Sequence, residues 1–143
     1  MDKRKTTGEL VNELSSVSNI RDYFRSNENE MVSITLPDRL QQLVDQAGIS
    51  RSKLAVRSGL DRFYVYDILR GRKTPGADKL ICLILALGVD LNTAQELFRL
   101  AGKSELYARY PRDSVLIYAI QHHLSVSETN ELLYEAGQPL LTI

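Results

Sequence analysis

Residues Ile49 to Pro75, ISRSKLAVRSGLDRFYVYDILRGRKTP, decide the fold. They read as two short helices joined by a tight turn. Ser50 is placed to cap a first helix carrying Leu54, Ala55 and Val56, and Gly59 stops it through its tolerance of positive φ. Asp61 caps the second, where a carboxylate accepts backbone N–H bonds and meets the favourable end of the helix dipole. Val65, Ile68 and Leu69 fall at i, i+3 and i+4 on its inner side. Phe63, Tyr66, Asp67 and Arg70 fall on the opposite side, with Arg62 and Tyr64 on the flanks. Gly71 ends this helix, and Pro75 prevents immediate re-entry.

On the N-terminal side, Pro37 suits the first turn of a helix whose buried stripe is Leu40, Leu43, Val44 and Ala47, ended by Gly48. On the C-terminal side, Ala77 to Leu87 is apolar nearly all round, which predicts a helix buried on several sides. Asp90 then caps a helix through Leu91, Ala94, Leu97, Phe98 and Ala101, closed by Gly102. The last third repeats this pattern. DKLICLILALGVDLNTAQELFRLAG from Asp78 aligns without gaps on DSVLIYAIQHHLSVSETNELLYEAG from Asp113. Ser125-x-x-Glu128 adds a capping box to the second copy. Convergence of two helical hairpins and duplication of one both explain the match; two units are too few for a solenoid.

The N-terminal stretch is less regular. Met1 to Lys5 is a charged start expected to fray, Thr6-x-x-Glu9 can form a capping box, and Leu10, Val11 and Leu14 share one side of the helix it opens. Ser18 is placed to open a second helix carrying Ile20, Tyr23 and Phe24. Ser26 to Glu30 reads as a polar linker, and Val32 to Leu36 alternates weakly enough to be extended. The whole predicts an all-α protein.

Leu54-Ala55, Gly59-Leu60, Val65, Ile68 and Gly71-Arg72-Lys73 before Pro75 resemble the helix-turn-helix of the Cro and phage-repressor class, the XRE-like family. Leu40 and Leu43 fit that family's first helix, and Leu80, Leu83 and Ala86 to Val89 its fourth, so the resemblance covers roughly residues 38–97. It implies a helix-turn-helix domain over 37–102, to which the patterns outside it add a helical arm at 1–36 and a helical hairpin at 103–143 packed on the same core. It also implies double-stranded DNA as partner, transcriptional regulation and a homodimer on a two-fold site.

In the family pattern, the start and outer face of the second helix read bases in the major groove. Those positions fall on Arg62, Phe63, Tyr64, Tyr66 and Asp67 within helix 62–70. Arg62 can donate two bonds to guanine, Phe63 can touch a thymine methyl, and Asp67 can accept from a cytosine amine. Arg51, Arg70, Arg72 and Lys73 fall at phosphate-binding positions. Three aromatics stand where small polar residues are commoner, with Arg51 in place of glutamine and Leu69 in place of glutamate. Aromatics on an exposed helix also suit protein interfaces, so a second reading is a non-enzymatic protein-interaction adaptor or partner-neutralising protein built on the same scaffold. For Tyr64 the competing expectation is sideways packing against a neighbouring helix.

Composition bounds the rest. A chain of 143 residues with 43% apolar content can bury a normal core, and the lone Cys82 excludes an internal disulfide framework. No apolar run reaches spanning length and no signal peptide precedes the fold, which leads one to expect a soluble cytoplasmic protein without a membrane partner. Net charge is zero, yet Ile49 to Gly76 carries seven basic residues against two acidic ones, and Glu28, Glu30, Glu128, Glu131 and Glu135 balance them elsewhere. His122 and His123 are adjacent, so on a helix they diverge by about 100° and do not chelate as an i,i+4 pair would. With no glycine-rich phosphate loop and no nucleophile elbow, neither enzyme, metal nor cofactor is expected. Tyr107-x-x-Tyr110-Pro111-Arg112 reads first as a connector whose tyrosines plug the hairpin interface and second as a docking surface, and Leu140 to Ile143 as a tail folded on the core or an apolar end that meets a second subunit.

Overall fold

A computed structural model describes residues 4–142, all of whose regular elements are helical. They fall into two compact units, one ending at Ile34 and one beginning at Thr35. The expectations for Met1 to Lys3 and for Ile143 lie outside the described residues.

The first unit holds α1 (Thr7–Ser16), α2 (Ile20–Ser26) and a 3-10 turn at Glu28–Glu30. Thr6 caps α1 by accepting from the Glu9 amide, without the return bond that completes a capping box. α2 is capped by Asn19, which accepts from the Arg21 amide at 2.9 Å, and not by Ser18; the planar asparagine amide reaches N2 directly. Ser26 to Glu30 is structured and not a linker. Asn27 is buried, accepts from Lys5 Nζ, and donates to Glu13 and to the Tyr23 carbonyl. Lys5 also pairs with Glu13, which holds the Glu13 carboxylate below its usual range. Val11, Leu14, Ile20 and Phe24 stay exposed.

The second unit carries α3 (Leu36–Ala47), α4 (Arg51–Ser58), α5 (Arg62–Leu69), α6 (Ala77–Leu87), α7 (Leu91–Leu100), α8 (Pro111–Gln121) and α9 (Val126–Glu135). Leu36 is buried in the first turn of α3, under a Thr35 cap, so the weak alternation ends one residue earlier than expected. α6 is the strut: Leu80 to Leu87 are all buried, and α3, α4, α7, α8 and α9 pack around it. Burial pushes the Cys82 thiol up to about 11, with the Asp78 charge adding to the effect, so it is a packing residue.

The two C-terminal hairpins match in helix length and in the geometry of their helix ends. α7 and α9 have the same length, end on cap residues Ala101 and Ala136 with φ −80 and ψ 0, and are followed by Gly102 and Gly137, both at φ 69. Where the first hairpin turns at Gly88 with φ 67, the second turns at His123 with φ 53. His123 is thus the helix stop of the second hairpin, in a conformation that favours glycine. His122 stacks on Tyr118, with ring centroids 4.0 Å apart.

The connector does not plug the interface with its tyrosines. Tyr107 and Tyr110 are exposed and pack edge-to-face on each other at 5.1 Å. What fixes the connector is Gln95, whose side-chain amide exchanges two 2.8 Å bonds with the Leu106 backbone. What fixes the hairpin is Arg112. Its guanidinium grips Asp78 with two 3.1 Å bonds and reaches the Pro139 and Leu140 carbonyls at 2.9 and 3.2 Å. The Thr142 amide donates to the same Asp78 carboxylate, and Leu141 is buried with its amide on Asn130 Oδ1, so the tail folds back on the core.

Burial pushes Asp78 towards the neutral form, but the bonds from Arg112 and Thr142 outweigh it and its pKa is lowered. A depressed folded-state pKa contributes stability above the unfolded value of about 3.9, and this is lost as pH falls through the folded value. Arg112→Ala should therefore destabilise by about 1–3 kcal/mol at neutral pH in urea titrations, and the deficit should shrink below about pH 4 as the stranded carboxylate protonates. His123→Gly should move the urea midpoint the other way, stabilising by about 1 kcal/mol through release of left-handed strain.

Candidate nucleic-acid interface

The second helix of the pair is held rigidly from behind. Val65 and Ile68 are fully enclosed, Leu69 nearly so, and α5 packs on both α4 and α3. Ser50 caps α4 through the Lys53 amide and Asp61 caps α5 through the Tyr64 amide at 3.1 Å. The turn between them has its own lock. Buried Ser58 donates to the Ala55 carbonyl at 2.9 Å and accepts from the Leu60 amide at 3.2 Å, while Gly59 adopts φ 73. Ser58 carries no apolar or charge signal, so pattern reading passes over it; only its place beside the turn glycine marks it.

With the inner face of α5 committed to the core, its N-terminal end and outer face are left to solvent. Arg62 and Arg70 are exposed, and Tyr66 and Asp67 are half-buried. Phe63 is 65% exposed, with the Arg62 guanidinium 5.1 Å from its ring centroid. Arg51 and Lys53 stand exposed in the first turn of α4 and Arg57 in its last. Arg72 and Lys73 are exposed in the loop after Gly71, whose φ of 77 favours glycine.

Asp67 is tied to that loop. The Arg72 amide donates to the Asp67 carbonyl at 2.8 Å, and its carboxylate lies 3.9 Å from Arg72 Nη1 and 3.7 Å from Lys73 Nζ. One candidate base reader is therefore coupled to two candidate phosphate holders. Tyr64 takes the sideways position. It packs against the core, burial pushes its hydroxyl pKa up, and Lys79 Nζ sits 4.4 Å from its ring centroid, with Lys73 Nζ at 5.5 Å.

Lys79 is the residue that the sequence reading missed. It lies in the first turn of α6, where the helix dipole disfavours a cation, and the aromatic face of Tyr64 offsets that cost. A lysine at the start of an otherwise apolar helix was the signal available.

A helix-turn-helix family model matches residues 40–94. The match runs from within α3 into the first turn of α7, taking in α4 and α5 and leaving the N-terminal helices and the α8–α9 hairpin outside it. No curated protein and no solved structure matches the chain. Residues 40–94 thus form a helix-turn-helix domain within an all-helical chain, an arrangement that supports DNA binding or a regulatory role.

Proposed function

We propose that the chain is a sequence-specific double-stranded DNA-binding protein of the Cro and phage-repressor (XRE-like) type, a cytoplasmic transcriptional regulator acting as a homodimer. The observation that carries this reading is the outward face of α5. A helix anchored by Val65, Ile68 and Leu69 presents Arg62 and Phe63 to solvent, with Arg51, Arg70, Arg72 and Lys73 exposed on the flanking elements. A rigid helix flanked by cations suits the major groove: phosphate contacts set the register, and side chains at the helix start reach base edges. In this scheme Arg62 reads guanine, Phe63 and Tyr66 pack on bases or sugars, and Asp67 accepts from cytosine. Tyr64 contributes by holding Lys73 and Lys79 at the edge of the face.

The 65% exposure of Phe63 on a chain of zero net charge favours a second reading, a protein-interaction adaptor that uses the same helix. Selection of duplexes from a random library separates the two. The DNA-binding reading expects an enriched inverted repeat; no enrichment at low salt, with capture of a protein partner lost in Phe63→Ala/Tyr66→Ala, would favour the adaptor.

On a recovered site, Arg72→Ala or Arg51→Ala should weaken binding to all sequences and flatten the log–log salt dependence by roughly one unit. Arg62→Ala should instead cost about 1–3 kcal/mol at one base pair and relax preference there. Fluorescence anisotropy over a salt series measures both. Asp67→Asn should raise non-specific affinity about threefold by releasing Arg72 and Lys73, while preference at its own base pair falls. Unchanged affinity for random duplex would refute that coupling.

A further inference from the structure

The first turn of α6 joins the helix-turn-helix to the C-terminal extension through two consecutive residues. α3, α4, α5, α7 and α9 each begin under a side chain that accepts from a first-turn amide. α6 begins at Gly76, and among the described residues no side chain caps it, which leaves its first-turn amides to other partners. Asp78 fastens this turn instead. Its carboxylate takes two 3.1 Å bonds from Arg112 of α8 and one of 3.1 Å from the Thr142 amide in the tail. Both donors lie beyond residues 40–94, so part of the hold on this turn comes from outside the helix-turn-helix domain. Lys79 follows directly. Successive residues of a helix point about 100° apart, so Asp78 reaches to α8 while Lys79 is turned to α5. Its ammonium lies 4.4 Å from the Tyr64 ring centroid, with Lys73 Nζ 5.5 Å from the same ring. Lys73 Nζ in turn lies 3.7 Å from the Asp67 carboxylate. An unbroken set of contacts therefore runs from α8 and the tail to the outward face of α5.

We propose that Arg112 is a positioning residue for DNA binding: by gripping Asp78 it holds Lys79 on Tyr64, and so orders the pair of lysines that meets phosphate beside α5. A lysine is a point charge on a flexible four-carbon stem, and ordering a free one on a phosphate costs side-chain entropy. A ring that receives both ammoniums, on a turn that is already fixed, removes much of that cost before DNA arrives. Two like charges at one ring also repel each other, so Lys79 leaves for water once the base of its stem is loose. The extension thereby sets the affinity of the helix-turn-helix to which it is joined, through Asp78 and not through a contact of its own with the duplex. The use of the lysines rests on the DNA-binding reading above; the link from Arg112 to Lys79 rests on the geometry alone.

Proton NMR of the full chain without DNA reads the link. In the wild type the Lys79 ε-methylene protons, held against the Tyr64 ring, should resonate upfield of their ordinary position. Arg112→Ala/Asp78→Asn removes one charge of each sign and leaves the net charge unchanged; it should return these protons to that position. Arg112→Lys keeps the charge but gives up the two-pronged grip, and should retain part of the upfield shift. Gln95→Ala frees the connector without touching Asp78 and should leave the shift whole. The same variants are titrated against a random-sequence duplex by fluorescence anisotropy. Affinity should fall about threefold in Arg112→Ala/Asp78→Asn, less in Arg112→Lys, and not at all in Gln95→Ala. The proposal is overturned by an upfield shift that is missing from the wild type, that survives the double change, or that Gln95→Ala abolishes equally. Duplex affinity left intact by the double change overturns it too. A wild type that shows the expected shifts but has no affinity for any duplex removes the DNA-binding reading and leaves the hold of Arg112 on Lys79 in place.

Discussion

Everything in the unit from Thr35 onward depends on the burial of α6. Eight consecutive residues, Leu80 to Leu87, are removed from water, which a helix achieves only when other elements surround it. α4 of the helix-turn-helix and α8 and α9 of the C-terminal hairpin all pack on it, so one helix serves as the floor of both. The orientation of α5 follows from this. It leans on α4 and α3, which are themselves fixed against α6, and its outer face is what the core does not need. Burial of this length contributes on the order of 1.5–3 kcal/mol for each large side chain, well above any single ion pair at the surface.

Zero net charge conceals a division of labour among the cations. Lys5, Arg39, Arg99 and Arg112 are matched to carboxylates and hold elements together. Arg72 and Lys73 share one carboxylate at longer range. Among the described residues, Arg51, Lys53, Arg57, Arg62 and Arg70 have no ion-pair partner and lie exposed on or beside α4 and α5. At physiological salt the field within about 8 Å of the surface governs what is attracted, so the local surplus outweighs the balanced total.

The local grammar of the chain was legible from sequence because its signals are short-range. Ser50, Asp61, Asp90 and the Ser125–Glu128 box sit at the helix starts they mark, and Ala77 to Leu87 is a helix over the expected span. What could not be read depends on partners far along the chain. Arg112 and Asp78 are 34 residues apart, and nothing in either neighbourhood signals the pair. Asn27 reads as linker chemistry because asparagine is common in loops, yet its buried amide satisfies the Glu13 carboxylate and the Tyr23 carbonyl at once. The face of α5 was legible as a face. The link between Asp67, Arg72 and Lys73 was not, because it requires the loop after Gly71 to fold back on the helix.

The shared floor has a consequence for how the second unit opens. Because α6 is buried along Leu80 to Leu87 with α4, α8 and α9 all packed on it, neither the helix-turn-helix nor the C-terminal hairpin can be lost without exposing its apolar surface. Its amide protons are therefore released only when the whole unit unfolds, and they report the global free energy. Helix α1, with no buried residue, lies at the other extreme and exchanges by local fraying. Slow exchange along α6 would extend to α4, α8 and α9 as one cooperative block, across the boundary at which the helix-turn-helix match ends.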